Sequence, residues 1–232
     1  MFQHLRLLIL DLDYVVFDCA LLKAQALKQC MAALDESFSL DVELPDAMNV
    51  EAQFLNHGFR WTHHFEVGLD DEGQERLEQT YAIYETRMIH SGLGRIHTGI
   101  EEFIVQCRQS NLAVALGADA RREYMLAVMD RFELDSLFQF ALCTEEFGSG
   151  DAVEMLEEIT RQAEVNPSET LALGTRPHYF QSANSVDIRT VGCGWGIGNH
   201  DGLAGADMQS SNLKRLFPAI KKADSLAFQR LD

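Results

Sequence analysis

Two carboxylates separated by one residue stand out because they follow directly on an apolar run. In the stretch LLILDLDYVVFDC, Asp11 and Asp13 come immediately after Leu7–Leu10. Burying a charge without a partner is costly, so a strand would not hold this pair without compensation. The pair therefore marks the end of a strand, a chemical site, or both. A structural role, in which Asp11 caps the turn and Asp13 hydrogen-bonds local amides, stays open at this point.

Three histidines, His57, His63 and His64, raise the question of a metal site in the stretch NHGFRWTHHFEVG. Adjacent histidines point in different directions, and no acid or cysteine joins them at ligand spacing, which disfavours a metal. Their neighbours include aromatic residues and an arginine. We therefore interpret the stretch as a contact loop for a substrate or partner, or as part of a core.

A glycine-rich stretch, GCGWGIGNH, is superficially similar to a dinucleotide-binding loop. It lacks a long apolar helix immediately after it, and Lys214 and Arg215 stand where an acid would be expected. We interpret it as a loop at the end of the last strand.

The elements that must position Asp11 and Asp13 follow from apolar periodicity. Helical spacing in ALLKAQALKQCMAALDESF and in DDEGQERLEQTYAIYETRMI predicts that residues from about 17 to 92 are mainly helical. Beyond them, the strand-like segments LAVALGA, FQFALC, TLALG and IRTVGC alternate with helix-like segments. This order predicts a parallel sheet with helices on both faces. Ligands of such sheets bind beyond the carboxyl ends of the strands, which singles out the loops DLDYVV, LGADARR, CTEEFGSG and GTRPHYF.

Size, charge and cysteine content restrict the protein's class, partners and compartment. With 232 residues, 47% of them hydrophobic, the chain fits one domain or a core with a modest insertion. The net charge of -17 disfavours nucleic acid and membrane surfaces, which leaves a small molecule or a protein partner. Five cysteines without a C-x-x-C pair predict reduced thiols and a cytoplasmic protein. Neither a signal peptide nor a membrane span is expected from the apolar runs.

The stretch LLILDLDYVVFD resembles the first motif of the haloacid dehalogenase-like hydrolases, an apolar strand followed by Asp-x-Asp-Gly-Thr-hydrophobic-x-Asp. The stretch IHTGIEEFIVQCRQSNLAVAL resembles the family's Pro-Gly-x-x-x-x-Leu helix and second strand, and VNPSETLALGTRPHYFQSANSVDIRTVGCGWGIG resembles its closing segments. The branch implied is the one with a helical cap that includes phosphoglycolate phosphatases. The resemblance implies an α/β fold, a three-layer Rossmann-like parallel sheet with an inserted all-helical cap. The core would be residues 1–16 and 93–232, and the cap residues 17–92.

The resemblance also implies a mechanism. In the family's phosphatases the first Asp, here Asp11, attacks phosphorus and forms an aspartyl phosphate. The second Asp, here Asp13, protonates the leaving oxygen and later deprotonates water. Mg²⁺ would be bound by Asp11, the backbone carbonyl of Asp13 and an acid of the fourth motif. A Ser or Thr after the second strand and a Lys of the third motif would hold the remaining phosphoryl oxygens.

The chain departs from the family pattern in each of its four motif loops. The departing positions are Tyr14 and Val15 in place of Gly-Thr, Leu116 in place of Ser or Thr, Asp151 near the Lys position, and Thr175 and Tyr179 in place of two acids. A phosphate would lose a small loop residue, a hydroxyl donor and a cation, and magnesium would keep essentially one carboxylate. Loss of one such preorganised group costs about 10²–10³ in turnover, although several losses do not simply add.

Four basic side chains could substitute as phosphate-binding groups, namely Arg121, Arg122, Arg176 and His178, with Asp119 as a further acid. A dehalogenase would need no metal but would use the same missing Lys and Ser-like donor, so it is disfavoured. Two functions remain open. The first is a haloacid dehalogenase-like protein with degenerate catalytic motifs, weak or inactive as a phosphatase, that binds Mg²⁺ weakly or not at all and acts as a binding or regulatory protein. The alternative is a Mg²⁺-dependent small-molecule phosphatase with relocated phosphate-binding groups.

The geometry around Asp11 is expected to discriminate between these functions. A phosphate-sized cavity with an arginine pointing into it favours the phosphatase. The same space filled by Tyr14 or Leu116 favours the binding protein.

Overall fold

Short strands and helices alternate along the chain, as the apolar periodicity predicts. The computed structural model describes residues 5–38, 70–148, 150–195 and 201–222. Its strands are β1 (Leu7–Leu10), β2 (Phe17–Asp18), β3 (Arg95–Ile96), β4 (Ala113–Ala118), β5 (Phe140–Cys143), β6 (Thr170–Gly174), β7 (Arg189–Cys193) and β8 (Met208–Ser210). Its helices are α1 (Ala20–Phe38), α2 (Asp71–His90), α3 (Ile100–Gln109), α4 (Arg122–Arg131), α5 (Ala152–Ala163), α6 (Pro177–Ser185) and α7 (Leu213–Lys222). Short 3₁₀ turns lie at Thr144–Glu146, Pro167–Glu169 and Asp201–Leu203.

The apolar run before Asp11 is a central strand of a six-stranded parallel sheet. The strand order is β5-β4-β1-β6-β7-β8, and Leu10 of β1 pairs with Leu116 of β4 and Leu173 of β6. On one side of β1 lie β4 and then β5, and on the other side lie β6, β7 and β8 in turn. The loops after β1, β4 and β6 therefore meet at the kind of switch point where open parallel sheets bind ligands.

Both faces of the sheet are covered, which explains why all four residues of β1 are apolar. Leu8 and Leu10 pack into one apolar cluster with residues of α3, α4 and α7, and Leu7 and Ile9 pack into a second with residues of α5 and α6. Side chains alternate between the faces of a strand, so a strand buried on both faces reads as a continuous apolar run. The predicted three-layer α/β fold is confirmed.

The helical insertion is represented by α1 and α2, which pack against each other, while α2 also packs against α4. The chain leaves the core through β2 and returns through β3, and these strands form an antiparallel ribbon in which Phe17 pairs with Ile96 and Asp18 with Arg95. The exact cap boundaries at residues 17 and 92 stay a prediction. His57, His63 and His64 lie outside the described residues, as does part of the glycine-rich stretch.

All five cysteines are buried and have free thiols, as their number and spacing predict. Within the described ranges, no helix is both long enough and apolar enough to cross a membrane.

Gly117 of β4 provides a test of how closely the sheet packs on α5. A Cβ atom at this position would lie 2.8 Å from Ile9 Cγ2 and 3.1 Å from Ile159 Cδ1. We expect Gly117→Ala to lower the free energy of unfolding by about 1–3 kcal/mol, because overpacking forces neighbours apart, and urea denaturation measures this. Gly148→Ala is the control, since no atom lies within 4 Å of a Cβ there. Equal stability of the two variants would contradict the packing described.

Candidate functional site

Asp11 lies just beyond β1, where a buried arginine binds it. Arg176 Nη2 is 2.5 Å from Asp11 Oδ2, and Arg176 Nη1 is 3.0 Å from Asp119 Oδ2. Asp11 and Arg176 have no exposed surface, and Asp119 is 5% exposed. One guanidinium thus bridges the carboxylates that follow β1 and β4. We call Asp11, Asp119, Arg176, His178 and Thr144 the Arg176 centre.

The local sequence GTRP places Arg176. Pro177 is the first residue of α6, a position where its missing N–H is not needed. A proline also keeps the residue before it extended, and Arg176 has φ -121° and ψ 136°. Gly174 fits here because a Cβ atom would lie 2.6 Å from the ring of Tyr179. The chain therefore turns tightly from β6 into α6 with the arginine at the turn.

Asp119 is the acid with the most partners in the Arg176 centre. Thr144 Oγ1 donates to Asp119 Oδ1 at 3.1 Å, and His178 Nε2 lies 2.7 Å from Asp119 Oδ2. Burial by itself raises the pKa of Asp119, but the charge of Arg176 and the hydrogen bonds from His178 and Thr144 outweigh it, so the pKa lies below its ordinary value. Asp119 is thus held as a carboxylate.

The negative charge of Asp11 is less well compensated than that of Asp119. Burial raises the pKa of Asp11 to about 6, against the opposing charge of Arg176, and the negative charges of Asp119 and Asp13 add to the rise. Its Oδ1 faces the backbone N–H of Asp119 at a long 3.5 Å. Asp11 therefore competes with Asp119 for a single arginine.

Asp13 belongs to a second buried cluster, which reaches into the helical insertion. Lys23 Nζ of α1 lies 3.2 Å from Asp13 Oδ2 and 3.0 Å from Glu85 Oε1 of α2. Tyr124 of α4 donates to Asp13 Oδ1 at 2.6 Å. Arg121 Nη2 lies 2.6 Å from Glu85 Oε2. We call Asp13, Lys23, Glu85, Arg121 and Tyr124 the Lys23 network.

The Lys23 network balances two acids with two cations. Burial raises the pKa of Glu85, but Lys23 and Arg121 outweigh it and lower the pKa below its ordinary value. The space between the side chains of the network is about 10 Å³. That is room for about one water molecule, and it is far too small for a phosphate.

Three of the positions that depart from the family pattern, Tyr14, Val15 and Leu116, are fully buried. Tyr14 is fully buried with φ 62°, a backbone conformation that suits the glycine of the family pattern better than a tyrosine. Leu116 is fully buried in β4. The carbonyl of Val15 accepts a hydrogen bond from Trp195 Nε1 at 3.1 Å.

The remaining departures lie in the fourth motif loop and at the start of α5. The hydroxyls of Thr175 and Tyr179 are buried without a hydrogen-bond partner among the described residues. Asp151 is the N-cap of α5 and accepts from the backbone N–H of Val153 at 2.7 Å. Asp151 is therefore a helix cap, a role that its residue type favours.

The four basic residues predicted from the sequence lie in three different places in the structure. Arg176 and His178 are together in the Arg176 centre, and Arg121 joins the Lys23 network. Arg122 is exposed and pairs with Glu146 at 3.2 Å. Arg122 is therefore not brought to Asp11.

The motifs in the sequence do not indicate Lys23, Glu85, Tyr124 or Thr144, which the structure places in the two clusters. A signal for the first two was present. Lys23 precedes Ala26 and Leu27 on the apolar stripe of α1, and Glu85 follows Tyr81 on the stripe of α2. Charged residues are almost never fully buried unless they are paired, so opposite charges on two apolar stripes indicate a buried ion pair.

The fold and site define an α/β protein with two acids beyond its central strand and a helical insertion after them. The chain belongs to the haloacid dehalogenase-like hydrolases, whose family model matches residues 8–193. The expected family is thus confirmed. No curated protein sequence matches the chain significantly.

Solved structures of this fold superpose on nearly the whole chain. A predicted phosphoglycolate phosphatase from Haemophilus somnus 129pt has a TM-score of 0.81 at 12% identity, over 94% of this chain and 99% of that one. β-Phosphoglucomutase from Clostridium difficile has 0.75 at 18%, over 95% and 97%. CbbY from Rhodobacter sphaeroides in complex with phosphate has 0.75 at 15%, over 91% and 96%. At these identities the likeness establishes the fold.

The residues present do not fit the magnesium ion that the family implies. Mg²⁺ prefers carboxylate oxygens and water in an octahedral shell, but Asp11 and Asp119 are already bound by Arg176. Thr175 stands where the motif has an acid. Within the described part of the chain, no cluster of three or more His, Cys, Asp or Glu is arranged to hold a metal. The guanidinium supplies the positive charge between these acids.

The Lys23 network predicts that replacing its one lysine strongly lowers the stability of the protein. We expect Lys23→Met to lower the free energy of unfolding by about 3–5 kcal/mol, because it leaves buried carboxylates undercompensated. Lys28→Met, on the exposed side of the same helix, is the control and is expected to change stability by about 0.5 kcal/mol or less. The double variant Lys23→Met with Asp13→Asn is expected to regain part of the lost free energy of unfolding, because it no longer has the uncompensated Asp13 carboxylate. Equal losses for the two lysines in urea denaturation would refute the network.

The pKa of Asp11 predicts a pH dependence of stability. Because folding raises the pKa from about 3.8 to about 6, the folded state binds more protons in that window, and the contribution of Asp11 to stability falls as pH rises through it. The free energy of unfolding of wild type relative to Asp11→Asn is expected to fall by about 2.4 kcal/mol between pH 4 and pH 7. Urea denaturation at each pH measures this, and a ¹³C titration of the Asp11 carboxyl checks its midpoint. A constant difference across the window would contradict the assignment.

Proposed function

We propose that this chain is a haloacid dehalogenase-like protein that no longer transfers phosphoryl groups at Asp11 and serves as a binding or regulatory protein. The observation that carries the proposal is the contact between Arg176 and Asp11, 2.5 Å long and without exposed surface on either residue. Three separate arguments support weak or absent phosphatase activity.

The first step concerns the nucleophile. A carboxylate attacks phosphorus only when one of its oxygens can approach to about 3–3.5 Å in line with the leaving group. Asp11 Oδ2 is bound by Arg176, and Oδ1 faces the Asp119 backbone. Breaking a buried ion pair costs about 3–5 kcal/mol, which corresponds to about 10²–10⁴ in rate.

The second step concerns charge. A transferring phosphoryl group needs cations and donors around its oxygens. Asp11 and Asp119 outnumber Arg176, and Leu116 offers no donor. The centre without His178 carries a net negative charge, which repels a phosphate dianion. Weak or absent binding of Mg²⁺ belongs to this proposal, because the same acids would have to exchange the arginine for the metal.

The third step concerns the acid and base. Asp13 would have to exchange a proton with the leaving oxygen. It is 1% exposed, and Lys23 and Tyr124 engage its two oxygens. This supports a structural role for Asp13, as the partner of the helical insertion.

The partner proposed is a small molecule or a protein. The net charge of -17 disfavours nucleic acid and membrane surfaces, and the unpaired cysteines support a cytoplasmic location. A similar structure, CbbY, was solved with phosphate and, as a mutant, with xylulose-(1,5)bisphosphate. That precedent supports a small molecule.

One observation favours the alternative function, a Mg²⁺-dependent small-molecule phosphatase. Arg176 is a basic side chain converging on Asp11, and an arginine that left Asp11 could hold a phosphoryl oxygen. In this alternative Asp11 is the nucleophile, Asp13 the acid and base, and Arg176 and His178 the relocated phosphate-binding groups. It requires Arg176 to exchange two carboxylates for the substrate.

Turnover of a panel of phosphomonoesters with Mg²⁺, including p-nitrophenyl phosphate and small sugar phosphates, tests the proposal. Enzymes commonly reach about 1–10³ s⁻¹. We expect rates at least about 10⁴-fold lower, from the loss of several stabilising groups, and equal rates for wild type and Asp11→Asn. The variant also serves as the control for contaminating phosphatases.

A second experiment tests for an aspartyl-phosphate state at Asp11 without a substrate. Beryllium fluoride with Mg²⁺ mimics an aspartyl phosphate, so it raises the melting temperature of a competent enzyme. We expect no change in this protein. Turnover in the ordinary range that Asp11→Asn abolishes, or stabilisation by beryllium fluoride that needs Asp11, would establish the phosphatase instead.

A further inference from the structure

The Lys23 network contains a row of four charges that alternate in sign between the core and the helical insertion. Asp13 and Arg121 belong to the core, whereas Lys23 lies on α1 and Glu85 on α2 of the insertion. Lys23 Nζ lies 3.2 Å from Asp13 Oδ2 and 3.0 Å from Glu85 Oε1. Arg121 Nη2 lies 2.6 Å from Glu85 Oε2. The pairs at the two ends of the row therefore connect the insertion to the core, and the middle pair lies within the insertion.

Two aromatic rings add contacts across the same boundary. Lys23 Nζ of the insertion lies 4.5 Å from the centre of the Tyr124 ring, which belongs to α4 of the core. Arg121 Cζ of the core lies 5.6 Å from the centre of the Tyr81 ring, which belongs to α2 of the insertion. A cation over an aromatic face at such distances is attracted to the ring. Each of the two cations thus contacts both an acid and a ring of the opposite part.

The division of these charges allows the two parts to separate without leaving a net charge on either. Each part carries one acid and one cation of the row. On the insertion, Lys23 and Glu85 are already paired with each other, and on the core Asp13 accepts a hydrogen bond from Tyr124 at 2.6 Å. Removal of one partner from a buried pair is costly because an uncompensated charge stays buried. Separation of the two parts instead exposes the charges to water, so the contact is reversible.

Two buried cysteines report on different parts of this region. Cys19 has no exposed surface, burial raises the pKa of its thiol, and the charges of Asp13 and Lys23 act on that pKa in opposite directions. Cys19 therefore lies at the junction of the two parts, as a protonated and unreactive thiol. Cys30 lies inside the insertion, where its thiol donates from α1 to the carbonyl of Leu77 on α2 at 3.5 Å. Separation of the insertion from the core would uncover Cys19 and leave Cys30 covered.

We propose that the Lys23 network is a latch that holds the helical insertion against the core, with Lys23 as its central residue because it lies between one acid of each part. While the latch is closed, the space at Asp13 is about 10 Å³, which admits about one water molecule. When the latch opens, the insertion leaves the core with α1 and α2 still packed together. The inference goes beyond the proposed function and does not depend on phosphoryl transfer at Asp11.

The test measures the rate at which N-ethylmaleimide alkylates each native cysteine of the full chain without denaturant, by mass spectrometry of the peptides. Lys23→Met leaves the Asp13 carboxylate without its cation in the closed state, so opening is favoured. We expect the alkylation rate of Cys19 to rise at least about tenfold relative to the rates of Cys30 and of Cys193 in the core. A loss of global stability alone would raise the rates of all buried thiols together.

Further variants make the test independent of how well Lys23→Met folds. Arg121→Gln removes the other cation that contacts an acid of the opposite part, and it is expected to raise the Cys19 rate selectively as well. The double variant Lys23→Met with Asp13→Asn is expected to return that rate towards wild type, and Lys28→Met, on the exposed side of α1, is expected to leave it unchanged.

Three outcomes would overturn the inference. The first is the absence of a selective rise at Cys19 in both Lys23→Met and Arg121→Gln. The second is an equal rise at Cys19 and Cys193, which indicates global unfolding. The third is an equal rise at Cys19 and Cys30, which indicates that α1 and α2 come apart. All three are distinct from phosphomonoester turnover, which bears on the proposed function alone.

Discussion

The free-energy cost of burying charge governs this molecule more than any other constraint. Asp11 and Asp13 are both removed from water at the end of β1, and a buried carboxylate persists only when a cation or several donors compensate it. The chain supplies those cations itself. Arg176 compensates Asp11, and Lys23 compensates Asp13. Arg176 also pairs with Asp119, so the negative charge of Asp11 is only partly compensated.

The same ion pairs hold separate parts of the fold together. The Arg176 centre joins the loops after β1, β4 and β6, while the Lys23 network joins the β1 loop to α1, α2 and the start of α4. The ion pairs of Asp11 and Asp13 therefore connect these elements of the fold.

From the sequence, the space above Asp11 is expected to be either a phosphate-sized cavity with an arginine pointing into it or a space filled by Tyr14 or Leu116. The structure combines parts of both: an arginine contacts Asp11, and Tyr14 and Leu116 are fully buried. The sequence predicts Arg176 as one of four basic side chains that could hold phosphate. In the structure the guanidinium contacts both Asp11 and Asp119, because its planar fork can reach two carboxylates at once.

The sequence by itself determined the order of strands and helices, the parallel sheet and the helical insertion, since these depend on apolar spacing over short stretches such as LLIL and TLALG. It also determined which loops meet at the switch point, because strand order follows from element order in such folds. Only the tertiary structure decided which cation meets which acid. Arg176 and Asp11 are 165 residues apart, and Lys23 and Glu85 are 62 apart. The apolar stripes mark Lys23 and Glu85 as buried charges that need a partner. Which charge each of them meets depends on how the packed elements bring their charges together.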